Sequence, residues 1–190
     1  HPWLIGVIGD VMATTPECTA INLAASRSLA AGVAALDHVI AGGTSKDDLA
    51  AMIAEWRPFH GVRKALRALE IATGLAETPL ESISLVPIAL AGFEPPEQQV
   101  VVVARGRSYR LDFLWRSHGV VGEADGRLKY LTRADLWEEK LREDAVRSLN
   151  LGFARWGWDE ALAGPPVVAR LHEAGLRVGP PLANRAARIA

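Results

Sequence analysis

The sequence predicts a mixed α/β fold: a mostly helical region over residues 1–77, an α-β-β-β-α-β core over 78–175 and a basic tail over 176–190. Three observations carry that expectation. In the first third, apolar residues recur at helical spacing, as with Val62, Ala65, Leu66 and Leu69. Further on, "EQQVVVVA", "SYRLDFLW" and "GVVGEAD" are β-like runs divided by short turns. An amphipathic stretch, "RADLWEEKLREDAVRSLN", then separates them from a last strand-like run, "LGFARWGW".

Residues 3–14 are short and apolar with Gly6 and Gly9, which fits a small strand pair or an extended lead-in. Thr15 suits a helix N-cap and Pro16 the first helical turn. Alanine-rich helical segments follow to Ile40 and close at Gly42-Gly43. Ser45 with Asp48 three residues on starts another helix, which runs toward Trp56 and is broken by Pro58. "GVRKALRALEIAT" forms the next. Thr78-Pro79-Leu80-Glu81 reads as a capping box opening a helix that ends at Gly92. Pro87 falls inside that helix and should kink it, at a cost near ~3 kcal/mol. The amphipathic stretch puts Trp137, Leu141, Ala145 and Leu149 on one face, and "DEALAGPPVVARLHEAGL" supplies terminal helices. Trp115, Trp137, Trp156 and Trp158 are expected to fill the core or an interface.

Hydrophobic residues make up 49% of the 190 and charged residues 23%, enough for a real core and against disorder. No apolar run approaches the ~20 residues of a membrane span, and no secretory signal is recognised. Cys18 is alone, which excludes an intramolecular disulfide and points to a cytoplasmic protein. The histidines are scattered (His1, His38, His60, His118, His172), so the pattern argues against structural zinc. The chain opens at His1 without methionine, which suggests a trimmed product or part of a longer chain. Net charge is −1, so no global field draws the chain to nucleic acid. Local basic patches exist at Arg57, His60, Arg63, Lys64 and Arg67, at Arg105, Arg107 and Arg110, and at Arg177, Arg185 and Arg188. Each reads most simply as a solvated surface.

The segment "RSYRLDFLWRSHGVVGEADGRLKY" reads as a β-hairpin that plants Asp112, Glu123 and Asp125 among apolar residues, although acids are poor strand formers. A four-residue turn at 116–119 pairs Trp115 with Val120 and Asp112 with Glu123. Facing residues lie ~4.5–5.5 Å apart at Cβ, where like charges are destabilising. Alternation puts Glu123 and Asp125 on one face. Converging carboxylates of this kind suit a hard divalent cation, magnesium or manganese, held by Asp112, Glu123 and Asp125. In the same register Arg110 falls opposite Asp125, so an ion pair on a half-exposed sheet is the competing reading.

With an acid on the second strand and Glu-x-Asp on the third, the order of elements resembles the PD-(D/E)xK, or restriction-endonuclease-like, superfamily. More narrowly, "ESISL", "YRLDFLW", "GEADGRLKY" and "EEKLREDAVRSLNLGFARWGWDE" look like the very-short-patch-repair-related domain found in AbiEi-type antitoxins of type IV toxin–antitoxin systems. "TTPECTAINLA" resembles the segment that joins a winged helix to that domain, and the likeness covers most of the chain after residue 12. The resemblance makes Asp112 the strand-two metal ligand, Glu123 the first acid of the Glu-x-Lys element and Glu81 the acid offered by the preceding helix. Asp125 stands where the superfamily has lysine, whereas Glu-x-Asp-Gly is usual in the narrower group. Pro87 and the missing winged helix are further departures.

The implied activity is magnesium- or manganese-dependent hydrolysis of DNA phosphodiester bonds. Lys129 is the first substitute for the motif lysine, and Lys140 on the next helix the second. Glu81 has a competing role as the reciprocal partner of the Thr78 cap. The alternative function is a catalytically inactive module, an AbiEi-type antitoxin and transcriptional regulator or a protein-binding partner. DNA, a cognate toxin and a second copy docked through the alanine-rich helices are the expected partners. A membrane is not.

Overall fold

The computed structural model describes residues 5–126 and 148–179 and is a mixed α/β structure. The chain divides into two compact units, His1–Val86 and Pro87–Ala190. No helix among the described residues is long and apolar enough to cross a membrane.

The first unit opens with a hairpin, β1 (Ile5–Ile8) and β2 (Val11–Thr14), paired antiparallel with Val7 opposite Met12. Of the two readings of residues 3–14, the strand pair is the one present. Helices α1 (Pro16–Ser26), α2 (Leu29–Ala41), α3 (Lys46–Glu55) and α4 (Val62–Ile71) follow. Thr15 and Ser45 cap as expected, accepting the backbone N–H of Cys18 at 3.2 Å and of Asp48 at 3.0 Å. A further cap divides the alanine-rich stretch: Ser28 Oγ accepts from the Ala31 N–H at 3.2 Å and starts α2. Burial then sorts the residues. Ile21, Ala24, Val33, Leu36, Leu49, Ile53, Ala65 and Ala68 are fully enclosed. Alanine-rich faces let the helices approach closely: a Cβ on Gly32 of α2 would lie 2.7 Å from the Ala24 Cα of α1.

A buried carboxylate ties this unit together. Asp37 is 1% exposed on α2. Its Oδ1 accepts the Thr73 N–H at 2.6 Å and the Gly74 N–H at 2.5 Å, and its Oδ2 accepts the Ser82 hydroxyl at 2.7 Å. Cys18 is also buried, which pushes its thiol up from the ordinary range, while a contact from Asn22 Nδ2 to Sγ at 3.4 Å pulls the other way. Since the thiolate is the reactive form, Cys18 should resist a thiol-titrating disulfide reagent at neutral pH in the native protein. One equivalent should react once the chain is unfolded in urea; rapid native reaction would contradict the packing described.

Helix α5 (Pro79–Leu90) begins in the first unit and carries Pro87 within it. The second unit holds a four-stranded sheet in the order β3 (Glu97–Ala104), β4 (Arg107–Trp115), β5 (Val120–Ala124) and β6 (Gly152–Trp156). The β3–β4 and β4–β5 pairs are antiparallel and the β5–β6 pair is parallel. The amphipathic helix expected between β5 and β6 lies, up to residue 147, outside the described residues, as do Trp137, Lys140 and residues 180–190 of the tail. Helices α6 (Trp158–Ala163) and α7 (Pro165–Glu173) follow β6, and α7 packs against it.

Two apolar groups hold the sheet. Val102, Leu111, Leu114, Val121 and Leu151 form a buried cluster, with Tyr109 and Phe153 packed against it. Phe113 stacks on Trp156 at 5.8 Å and lies 6.3 Å from Trp115. Gly122 makes room for those rings, because a Cβ there would meet Trp156 at 2.6 Å. Trp158, by contrast, is 44% exposed.

Candidate functional site

The hairpin register is the expected one over three pairs: Trp115 with Val120, Leu114 with Val121 and Phe113 with Gly122. The ladder then stops one pair short of Asp112 and Glu123. Asp112 is where both of its neighbouring ladders are interrupted. On the other side, β3 and β4 pair at Gln98–Phe113 and at Val100–Leu111, but the intervening Gln99–Asp112 pair is skipped. Gln99 has φ 54 there, a conformation that draws its backbone out of regular pairing. The Asp112 side chain takes over from the backbone: Oδ2 accepts the Ala124 N–H at 2.8 Å. Its carboxylate therefore sits against β5, one residue from Glu123.

Glu123 is 5% exposed, and burial of a carboxylate is costly without partners. Its parallel ladder partner on β6 is Arg155. Asp125 lies just past the end of β5, which closes at Ala124, and its backbone N–H donates to the Trp156 carbonyl at 2.9 Å. Arg155 Nη1 lies 3.9 Å from Asp125 Oδ2, at the long limit of an ion pair, and its guanidinium covers the Phe153 ring at 5.3 Å. Arg155 thus joins the acids as a fourth charged member. Sequence reasoning missed it; its signal was an arginine alternating with Phe153 in a short buried-type strand.

Among the described residues, no group of three or more His, Cys, Asp or Glu side chains is arranged to hold a metal ion. Of the three acids expected to hold a cation, the Asp112 carboxylate reaches β5 beside Glu123, while Asp125 lies just past the end of that strand. Magnesium is commonly held by one or two carboxylates with waters and substrate phosphates completing the shell. Lys129 lies outside the described residues.

Glu81 belongs to the first unit and works as a cap. It is 4% exposed; its carboxylate accepts the Glu77 N–H at 2.9 Å and the Thr78 hydroxyl at 2.8 Å, while its own N–H donates to Thr78 Oγ1 at 3.3 Å. The reciprocal bond falls on Glu77, one residue before the amide expected from the capping rule.

A second polar cluster forms around the β4–β5 turn, which sequence reasoning did not single out. Glu94 Oε1 accepts from the Ser117 hydroxyl, and His118 Nδ1 lies 3.1 Å from both Ser117 Oγ and Glu94 Oε1. Trp115 Nε1 donates to the Glu94 carbonyl at 2.8 Å, and Arg116 pairs with Glu97 at 3.0 Å. A nucleophile–base–orienter relay uses the two ring nitrogens of histidine separately. Here Ser117 and Glu94 crowd the same nitrogen, so the cluster is a latch on the turn. An open cavity of about 350 Å³ beside it is lined by Glu94, Glu97, Trp115 and Arg116.

Compared with known proteins, the chain matches no family model, no curated protein and no solved structure.

Proposed function

We propose that the sheet-bearing unit is a metal-dependent, endonuclease-like module of the restriction-endonuclease-like kind, acting on DNA phosphodiester bonds. The observation that carries this reading is the Asp112 carboxylate drawn onto β5 next to the buried Glu123. Asp112 and Glu123 would hold the cation. A bound magnesium or manganese ion supplies an acidified water and neutralises charge on the phosphate. Arg155 adds a permanent positive charge beside the pair, which suits a phosphate whose negative charge grows during attack. Lys129 is the residue proposed to orient or deprotonate the water.

A second reading has its own support. Asp112 Oδ2 already serves as a structural acceptor, and Asp125 brings negative charge where the superfamily has lysine. Both favour a catalytically inactive module, an antitoxin-type regulator or protein partner.

Plasmid nicking with magnesium or manganese separates the two. Under the first reading the protein nicks DNA, Asp112→Ala abolishes nicking, and Arg155→Gln slows it about 10²-fold without weakening manganese binding. Manganese binding with no nicking supports the regulator. Equal manganese binding by parent and an Asp112→Asn, Glu123→Gln double variant removes the cation site.

A further inference from the structure

We propose that the helical unit carries a separate docking face for the phosphate backbone of duplex DNA, formed by Arg27, Arg57, His60, Arg63, Lys64 and Arg67. The chain is nearly neutral, yet residues 56–70 hold four full cations and one acid. Arg57, His60, Arg63 and Arg67 are exposed and Lys64 is half-buried. The one acid, Glu70, is engaged by Arg67 at 2.7 Å, which leaves Arg57, Arg63 and Lys64 without an acidic partner among the described residues. The fold adds a sixth member. Gly61 packs so tightly on the backbone of Ala25 that a Cβ would come within 2.2 Å of its carbonyl oxygen, and this brings the end of α1, with exposed Arg27, to the start of α4.

The exposed side chains of α4 are all charged: Arg63, Arg67 and Glu70. Ala65, Ala68, Leu69 and Ile71 are buried and Val62 and Leu66 half-buried, so the helix keeps no fully exposed apolar side chain for a lipid surface. Trp56 and Phe59 are half-buried and packed edge to face at 6.2 Å, so neither of these two large rings is fully open for stacking on single-stranded bases. Arginine is the larger part of the set, and its planar fork matches phosphate oxygens. A double helix presents such oxygens in a regular array, and its binding is read through salt dependence.

The inference rests on the nucleic-acid part of the function proposed above but not on the cation site. Binding of a fluorescent 20-base-pair duplex is therefore measured in chelator, across a salt series, with the full chain. The parent should bind, and Arg63→Glu with Lys64→Glu should weaken binding at least tenfold and lower the salt slope by about 2. That reversal puts acids in the first turn of α4, where they favour the helix, so the variant should keep its helical circular dichroism. If it does not fold, Arg63→Gln with Lys64→Gln gives the same reading. Arg107→Glu, on the sheet, should bind like the parent. No binding by the parent, equal binding by the variant, equal loss in Arg107→Glu, or stronger binding to an RNA duplex, acidic vesicles or polyglutamate each overturns the proposal. Failure of the cation site alone leaves duplex binding by the Asp112→Asn, Glu123→Gln variant intact.

Discussion

Replacing Asp37 by alanine is expected to destabilise the helical unit by at least about 3 kcal/mol, because hydrogen bonds to a charged group contribute roughly 1.5–3 kcal/mol each. Four donors lose the carboxylate: the Thr73 and Gly74 amides, which close the turn after α4, the Thr73 hydroxyl at 3.3 Å, and the Ser82 hydroxyl on α5, which keeps only a 3.4 Å contact to the Thr78 carbonyl. The site is 1% exposed, so little water replaces the lost oxygens. Asp37→Asn keeps one carbonyl oxygen and the shape, and should cost clearly less. Urea unfolding followed by helical circular dichroism makes the comparison. A change below about 1 kcal/mol for the alanine variant would mean that this network contributes little.

Gly152→Ala should be comparably damaging in the sheet unit, for a steric reason. A Cβ on Gly152 would sit 1.8 Å from the carbonyl oxygen of Ala174 at the end of α7 and 2.9 Å from its carbonyl carbon. Both are backbone atoms, and Gly152 is itself paired with Val120 of β5 and held to the preceding turn by its N–H donating to the Gly119 carbonyl at 2.8 Å. Neither side can yield without separating α7 from β6 or β6 from β5. The cost should reach the upper end of the overpacking range, about 3 kcal/mol or more, and lower the melting temperature by more than about 10 °C. Near-ultraviolet circular dichroism, which reports the packed Trp115 and Trp156, should lose amplitude together with stability. An unchanged melting temperature would show that helix and strand are less closely packed than described.

The candidate site was partly legible. The turn at 116–119 sets the hairpin register, and from that register alone Asp112 and Glu123 are expected on adjacent strands. The skipped Gln99–Asp112 pair was not legible, since a glutamine at positive φ carries no composition signal as a glycine would. Arg155 was hidden for another reason. Its place beside Glu123 depends on β6 pairing parallel to β5 across a connection of more than two dozen residues, and no local pattern encodes the register of such a crossover.

By itself the sequence determined what is local in this protein: the caps at Thr15 and Ser45, the helical periodicity of α4, the β-like runs and the tight hairpin turn. These depend on side chains within a few residues of one another, where chemistry and spacing suffice. Tertiary structure decided what depends on distant partners. It turned Asp37 into a buried acceptor, made Gly61 and Gly152 points of backbone contact, and gave Asp112 a backbone amide in place of a ladder partner. It also set Arg27 beside the start of α4, turning a basic run into a face. The reason is the same in each case: burial and close approach are set by how elements pack, and the sequence lists the residues without stating which of them meet.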